Sequence, residues 1–204
     1  MIRIVAGAIL ALASAPALAA TARFPDTLIT AATAQIGVTL AYDPQYRKLA
    51  YPMGDVPIDR GVCTDVVIRA YRALGVDLQQ RVHEDMRTHW NAYPKLWGLR
   101  GTDRNIDHRR VPNLAVFFRR HGRELRVSQT DASTYKPGDI VTWRLASGVP
   151  HIGIVSGESV HGRPLVIHNI GAGTQSEDVL FAYEVTGHYR YEPEAQQSLR
   201  RGSR

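Results

Sequence analysis

The sequence predicts an α+β domain in which N-terminal helices pack on one face of a small antiparallel β-sheet. The first half of the chain carries apolar residues at helical spacing, and its connecting stretches are rich in Gly and Pro. The second half changes to short β-type runs that are separated by turn clusters containing Gly and Pro. Because neither an internal repeat nor a second composition class is visible, we expect a single domain over residues 24–192.

Four segments of the first half have helical spacing. In the second of them Cys63, Val67, Ala70 and Tyr71 share a face, which places the thiol among apolar side chains, and Gly75 provides a stop signal. The predicted helices span residues 27–37, 61–74, 78–88 and 113–121, with loops at 39–57 and 90–112.

Four runs of the second half have strand character, over residues 139–143, 151–155, 165–169 and 183–191. The second and third runs are expected to pair as a hairpin through a turn within 157–164, which brings His151 and His168 to the same end of the sheet. Asn169 follows His168 directly, so strand alternation sends these two side chains to opposite faces and only one of them can face His151.

The N-terminus has the pattern of a secretory signal peptide over residues 1–19. Arg3 gives the positive start, an apolar run follows, and Ala17-Leu18-Ala19 gives the small-x-small cleavage site near Ala19 or Ala20. The apolar run is too short to favour a permanent membrane span, with a retained N-terminal anchor as the alternative. We therefore expect a periplasmic or secreted protein without a stable span after cleavage.

The charge of the chain is basic, with a formal net charge of +6. A basic exported protein suits a polyanionic neighbour such as the cell wall, although solubility alone explains the charge equally well. The basic residues are not interleaved with aromatic ones as on a nucleic-acid platform, so no nucleic-acid partner is expected. Part of the excess lies in residues 193–204, which we expect to be a disordered tail.

Cys63 is the only cysteine of the chain, so it is either an inert buried side chain or a reactive thiol. In the first turn of a helix it would feel the positive end of the helix dipole, which stabilises a thiolate. A cysteine nucleophile also needs an imidazole within reach and a third polar group that fixes the imidazole tautomer. A helix packed across the sheet end can present Cys63 to His151, with His168 or Asn169 behind it.

Four motifs in this order resemble the pattern of the NlpC-type cysteine peptidases. They are Gly61-Val62-Cys63-Thr64-Asp65-Val66-Val67, Lys136-Pro137-Gly138-Asp139-Ile140-Val141, Pro150-His151-Ile152-Gly153-Ile154-Val155 and Val166-Ile167-His168-Asn169. The stretch 28–191 more closely resembles the bacterial family called domain of unknown function 1287 (DUF1287). The segments that carry this second resemblance are Arg60-Gly61-Val62-Cys63-Thr64-Asp65, Asn105-Ile106-Asp107-His108-Arg109-Arg110-Val111-Pro112 and His168-Asn169-Ile170-Gly171.

The resemblance implies a papain-like NlpC/P60-type fold and a cofactor-free cysteine hydrolase. It assigns Cys63 as the nucleophile, His151 as the general base and acid, and His168 as the orienting group, with Asn169 as the alternative third member. Together with the predicted export, it points to amide bonds of peptidoglycan stem peptides, cleaved through a thioester. This chain departs from the peptidase pattern by the carboxylate of Asp65 in the first helical turn, which opposes a thiolate, and by the long insertion at 90–112.

Other polar residues have two interpretations each, and for Tyr51 the alternative to the role given below is simple packing in its loop. Asp107, His108 and Arg109 either staple a loop or bind a substrate carboxylate through Arg109 or Arg110. Tyr51 is a candidate donor to an oxyanion beside the Cys63 backbone N–H.

The histidines of the third helical segment match no common zinc pattern, so no metal is expected. His83 and His89 are six residues apart and have no sulfur partner. The alternatives to a hydrolase are a catalytically weak or inactive wall- or peptide-binding module on the same fold, and an acyltransferase that uses the same thioester.

Overall fold

The structure is a computed structural model in which residues 23–193 are described. The predicted signal peptide over 1–19 lies outside the described residues, as does the predicted tail apart from its first residue. Within 23–193, no helix has the length and apolarity needed to cross a membrane.

Four α-helices form the first half of the domain. They are α1 (Phe24–Thr33), α2 (Cys63–Ala73), α3 (Leu78–Thr88) and α4 (Val111–His121). Helix α3 has the predicted bounds, whereas α1 and α4 begin earlier than predicted, at Phe24 and Val111. Both have a proline in the first turn, Pro25 and Pro112. An N–H group at this position would form no hydrogen bond within the helix, so its absence in proline costs nothing. Three 3₁₀ turns lie at Trp90–Ala92, Asp107–Arg109 and Ala132–Thr134.

The second half forms a six-stranded sheet in the order β3-β8-β4-β5-β6-β7, and every neighbouring pair is antiparallel. Its strands are β3 (Arg123–Glu124), β4 (Ile140–Arg144), β5 (Pro150–Val160), β6 (Arg163–Asn169), β7 (Thr174–Glu177) and β8 (Glu184–Arg190). A separate parallel pair joins β1 (Ala41–Tyr42) to β2 (Arg60–Gly61), directly before α2. The predicted α+β class is thus confirmed.

The β5–β6 hairpin reverses within the predicted range 157–164, and the structure narrows the turn to two residues. Strand β5 runs through Gly157 to Val160, and the chain reverses at His161 and Gly162, whose φ angles are 50° and 77°. A two-residue turn with positive φ at both positions matches the twist of the flanking strands. Gly157 therefore lies inside a strand, in a region where the register of the pairing shifts.

Two apolar layers cover the two faces of the sheet. The helices pack on Ile140, Ile152, Ile154, Ile167 and Tyr189, whereas the other face buries Tyr135, Val141, Trp143, Val155, Val166, Leu180 and Val185. His151 and His168 alternate with Ile152 and Ile167, so both imidazoles leave the sheet on the face opposite the helices. In agreement, the rings of His151 and Trp143 have centroids 5.9 Å apart.

The Pro137-Gly138-Asp139 motif has a structural role at the start of β4. The Asp139 side chain is fully buried, accepts a hydrogen bond from the Lys136 N–H, and contacts His188 Nε2 at 2.8 Å and Arg190 Nε at 2.6 Å. Burial acts to raise the pKa of this carboxyl, but the hydrogen bonds from His188 and Arg190 outweigh it and lower the pKa. The motif therefore ties β4 to β8.

Candidate active site

Cys63 is the first residue of α2, and the start of that helix is fixed by Asp65. The Val62 N–H donates to Asp65 Oδ2 at 2.7 Å, which satisfies one of the backbone donors at the helix N-terminus. A Cβ atom at Gly61 would lie 2.9 Å from the same oxygen, so the glycine allows the carboxylate to fold back over β2. The local sequence thus determines where the thiol begins the helix.

The Asp65 carboxylate is paired with Arg109, which comes from the long insertion. Arg109 Nε and Nη2 donate to the two oxygens of Asp65, each at 2.9 Å, and both side chains are almost fully buried. Arg109 also donates to the carbonyls of Gln45 and Asp43 at 3.2 Å. Of the two predicted roles of Arg109, the structure supports the loop staple, and Asp65 likewise binds within the protein.

The thiol of Cys63 is 3% exposed, and burial raises its pKa to about 12. The Asp65 charge raises the pKa further, whereas the N–H groups of Ile152, Thr64 and Cys63 itself act to lower it. The first-turn amides therefore act in the predicted direction, but desolvation is the larger effect and favours the neutral thiol. In the resting state Cys63 is a neutral thiol.

The two strand histidines form a close pair on the sheet face opposite α2, and the backbone N–H of Ile152, which follows His151, contacts Cys63. His151 Nε2 lies 2.8 Å from His168 Nδ1, and the two rings meet edge to face with centroids 5.0 Å apart. His151 Nδ1 has no hydrogen-bond partner among the described residues and is not sealed from solvent. His151 and His168 thus lie together at one end of the sheet, as predicted from the strand pairing.

Gly153 creates the space in which the histidines approach. A Cβ atom at this position would lie 2.6 Å from Val166 Cγ1, 3.0 Å from the Ile167 carbonyl oxygen and 3.1 Å from His168 Cβ. Only a residue without a side chain fits so close to the neighbouring strand. The glycine of the His-x-Gly-Ile motif therefore places His168 against His151.

Both histidines are neutral at pH 7 in this environment. Burial, with a smaller contribution from the charge of His168, lowers the pKa of His151 to about 3. Burial also lowers the pKa of His168, and Glu177 opposes that shift. The resting site is therefore a neutral thiol and neutral imidazoles, not a thiolate–imidazolium pair.

Glu177 is a residue of the site that the sequence reasoning missed. Its Oε2 lies 2.9 Å from His168 Nε2, but the approach angle is not that of a hydrogen bond, and its side chain is 44% exposed. Glu177 belongs to β7, which pairs with β6. Strand β7 is short and polar, and it carries no apolar alternation that predicts a strand.

Asn169 occupies the opposite face of β6, as alternation predicts. Its Nδ2 donates to the Gly61 carbonyl at 3.1 Å, and its Oδ1 accepts from the Gly171 N–H at 3.1 Å. Asn169 thus holds the strand to the segment that precedes Cys63, whereas His168 is the residue that contacts His151.

Tyr42 takes the position next to the thiol that was predicted for Tyr51. Burial raises the pKa of Tyr42 to about 12, and the neighbouring Cys63 adds to this shift. Strand pairing explains the placement, because Tyr42 lies opposite Gly61 in the β1–β2 pair. The Tyr51 hydroxyl instead lies 3.5 Å from Glu84 Oε1, and Tyr51 does not line the cavity at Cys63.

A cavity of about 170 Å³ opens at Cys63. Its walls include Tyr42 and Cys63 on one side, Pro150 beside the histidine strand, and Trp97, Arg109 and Arg110 from the insertion. A second cavity of about 490 Å³ shares Val111, Pro112 and Pro150 with the first. The insertion therefore forms one wall of the cleft, as expected from its position.

Asp107 and His108 lie behind that wall and do not line the cavity. Asp107 accepts from the Asp103 N–H at 2.8 Å and lies 2.9 Å from His83 Nδ1, while burial lowers the pKa of His108 to about 3. These contacts favour the loop-staple reading for both residues. In the described range 23–193, no group of three or more His, Cys, Asp or Glu side chains is arranged to hold a metal ion.

Comparisons with known proteins identify a family, a sequence relative and a similar solved structure. A family model described as "Domain of unknown function (DUF1287)" matches residues 29–191. The chain is 59% identical over 158 residues to the uncharacterized protein YijF of Escherichia coli (strain K12), covering 77% of each chain. Among solved structures it is similar to NlpC1 from Trichomonas vaginalis, with 20% identity and a TM-score of 0.39. That match covers 83% of this chain and 43% of the other.

Proposed function

We propose that this chain, which belongs to the DUF1287 family, is an exported cysteine hydrolase that cleaves amide bonds in peptidoglycan stem peptides. The supporting observation is the 2.8 Å contact between His151 and His168, on a strand whose next residue, Ile152, directs its backbone N–H at Cys63. This contact leaves Nδ1 of His151 without a hydrogen-bond partner among the described residues, and the preceding residue, Pro150, lines the cavity that Cys63 also lines.

The tautomers of the two histidines follow from their contacts. If His151 Nδ1 is to accept a proton, Nε2 carries the hydrogen and donates it to His168 Nδ1. His168 then carries its own hydrogen on Nε2, which is the nitrogen that faces the Glu177 carboxylate at 2.9 Å. Positive charge that arises on His151 during the reaction is thus stabilised through His168 by Glu177.

The reaction begins from the neutral pair. The Cys63 sulfur attacks the amide carbonyl carbon while His151 Nδ1 takes the thiol proton, which gives a tetrahedral oxyanion and an imidazolium. The C–N bond then breaks, His151 returns the proton to the departing amine, and a thioester remains on Cys63. Water attacks the thioester with His151 as base, which releases the carboxylic acid and restores the thiol.

The oxyanion has two candidate donors. The Cys63 N–H belongs to the first turn of α2, where backbone donors have no intrahelical acceptor. The Tyr42 hydroxyl lies beside the thiol and stays protonated at neutral pH, because its pKa is raised to about 12. Both groups can therefore donate hydrogen bonds to negative charge that develops on the carbonyl oxygen.

The substrate class and location rest on export and charge. The signal-peptide pattern at the N-terminus supports a place outside the cytoplasm, where peptidoglycan is the abundant peptide amide. The basic net charge favours approach to this anionic polymer.

The test is mass spectrometry of defined muropeptides incubated with the mature protein, Cys63→Ala and Cys63→Ser. We expect pairs of new fragments whose masses add up to the mass of the substrate plus one water. These fragments should be absent with both variants, and their masses identify the cleaved bond. A product that carries an amine acceptor instead of water would identify an acyltransferase. Intact substrates after incubation with folded protein contradict the hydrolase.

One observation favours a second candidate, a wall-peptide-binding module that does not turn over. The Cys63 thiol is buried, and its raised pKa of about 12 is a property that an inert cysteine shares. In that case the wild-type protein and Cys63→Ala bind muropeptides with equal affinity, and neither changes their mass. A hydrolase instead accumulates products only when Cys63 is present.

A further inference from the structure

We infer that Arg110 and Trp97 form a subsite for a free carboxylate of the substrate, borne by the residue next to the scissile amide. The inference rests on the proposed hydrolase for the position of the amide, and on the cavity at Cys63 for the carboxylate site. It selects Arg110 over Arg109 as the substrate-binding cation.

Arg110 and Arg109 line the same cavity but differ in their partners. The Arg109 guanidinium is fully engaged with Asp65 and two backbone carbonyls. The Arg110 guanidinium forms no hydrogen bond and no ion pair with any residue in 23–193, and its Nη1 is buried without a partner. A buried guanidinium nitrogen without an acceptor is costly, so the site is incomplete without an anion.

Trp97 holds the Arg110 side chain in a fixed orientation. The guanidinium carbon lies 4.7 Å from the centroid of the indole ring, and Trp97 is 58% exposed at the cavity mouth. A guanidinium stacked on an aromatic face keeps its N–H groups in its own plane, where they are free to bind a carboxylate with two parallel hydrogen bonds. The pair therefore presents a pre-organised cation.

The charge of the cavity wall agrees with an anionic ligand. No Asp or Glu is among the described lining residues, and the only charged side chains there are Arg109 and Arg110. The Asp65 carboxylate compensates Arg109, which leaves Arg110 as the uncompensated charge. Asp103 is near enough to feel the charge of Arg110 but makes no direct contact with it.

The size of the cavity places the carboxylate close to the reacting bond. Pockets for drug-sized ligands measure roughly 300–1,000 Å³, whereas this cavity holds about 170 Å³. A group of about one residue fits between Cys63 and Arg110. The substrate is thus a peptide whose residue at the scissile amide carries a free carboxylate, from an acidic side chain or from a chain terminus.

The test compares matched peptides that differ only in acid versus carboxamide at that residue. One series changes a side-chain carboxylate and the other a terminal carboxylate, which separates the two sources. Affinities are measured by calorimetry on Cys63→Ala protein, so that binding is read without turnover. We expect the acid of one series to bind about ten- to a hundredfold more tightly than its amide, and Arg110→Gln to abolish this preference.

Two further variants make the comparison specific. Arg104→Gln is the matched control, because Arg104 also lies over an aromatic ring, at 5.7 Å from the Tyr51 centroid, but lines no part of the cavity. It should retain the full preference. Arg110→Lys keeps the charge but lacks the planar guanidinium, so it should retain part of the preference for the acid. It also provides a second test in case Arg110→Gln does not fold.

The outcomes separate this inference from the proposed function. Equal affinity for acid and amide, a preference that survives in Arg110→Gln, or no binding of any acid overturns the subsite, even where Cys63-dependent cleavage is observed. An Arg110-dependent preference without cleavage by the Cys63 protein supports the subsite and contradicts the hydrolase.

Discussion

His151 Nε2 and His168 Nδ1 lie 2.8 Å apart, and this contact determines which nitrogen of His151 is left without a hydrogen-bond partner among the described residues. With Nε2 engaged, Nδ1 is the nitrogen left for proton transfer, and ring rotation would break the contact. The pair thus fixes both the orientation and the tautomer of His151, the proposed general base.

Removal of the His168 imidazole should lower kcat with little change in KM. His168→Ala leaves His151 free to rotate and to adopt the other tautomer, so kcat should fall by at least about 10²-fold. His168→Asn should recover part of the activity, because its amide oxygen can accept the His151 Nε2–H. Steady-state kinetics on a cleaved muropeptide measures both effects.

Glu177→Gln is the control for this series. Glu177 contacts only the far nitrogen of His168 and is half-exposed, so its substitution should lower kcat by less than about tenfold, the effect of a weakly coupled surface charge. A loss of kcat in Glu177→Gln as large as in His168→Ala would show that the carboxylate, not the imidazole contact, sets the rate.

Alkylation of Cys63 in the native protein should be slow at neutral pH. A thiol whose pKa is raised to about 12 has a very small thiolate fraction at pH 7, and the fraction rises about tenfold with each pH unit up to that pKa. Iodoacetamide rates should therefore climb steadily from pH 7 to pH 10. The same thiol in urea-unfolded protein is the reference and should react at least about 10²-fold faster at pH 7. A plateau between pH 5 and pH 8 would instead indicate a thiolate–imidazolium pair.

The elements that bring the site together were predictable where periodicity is strong. Helix α2 and the strands that carry His151 and His168 have long apolar patterns, so their existence and the meeting of the histidines follow from the sequence. The predicted range of the hairpin turn, 157–164, contains the observed turn but is too wide, because it includes Gly157, which lies in an open position inside β5. The turn signal at His161 and Gly162 was the stronger one.

The residues that the sequence did not identify come from segments without periodicity. Tyr42 lies in a two-residue strand and Glu177 in a short polar strand. Neither strand has an apolar pattern from which its position in the fold could be predicted. The state of the thiol stayed open at the level of the sequence, since the helix dipole is visible there but the burial that outweighs it is a tertiary effect. For the same reason, only the structure distinguishes the engaged Arg109 from the unpaired Arg110.

Breaking the buried Asp65–Arg109 pair should strongly destabilise the fold. Asp65→Asn or Arg109→Gln leaves the other charge buried and unpaired, which costs about 3–5 kcal/mol of unfolding free energy, and the double variant should lose less than the sum. Denaturant unfolding measures these losses. Arg119→Gln is the control, because the Arg119–Glu124 pair is half-exposed and should change stability by less than about 1 kcal/mol. Losses of equal size at the two sites would contradict the buried staple.

Stability should fall as the pH drops from about 6.5 towards 3, partly because of His108. The folded state keeps His108 neutral down to a pKa of about 3, whereas the unfolded chain takes up a proton near pH 6.5. The unfolded state then binds more protons, so the unfolding free energy rises with pH in this window, by at most about 1.4 kcal/mol per pH unit for one histidine. His108→Gln should reduce the slope between pH 4.5 and 6.5 accordingly. The unfolding free energy of His108→Gln at pH 8, where the histidine is neutral in both states, measures the loss that is due to packing alone. An unchanged slope between pH 4.5 and 6.5 would contradict the lowered pKa of His108.

A side chain at Gly153 should disturb the histidine pair, whereas one at Gly157 should not. The two glycines lie in the same strand, but a Cβ at Gly153 meets the Ile167 carbonyl and His168 Cβ at 3.0 and 3.1 Å, while a Cβ at Gly157 meets nothing within 4 Å. Gly153→Ala should therefore cost about 1–3 kcal/mol of unfolding free energy and lower kcat, because His168 must move away from His151. Gly157→Ala should stay within about 0.5 kcal/mol and keep its activity. Denaturant unfolding and turnover of the same muropeptide measure both, and equal behaviour of the two variants would mean that the close approach at Gly153 does not position His168.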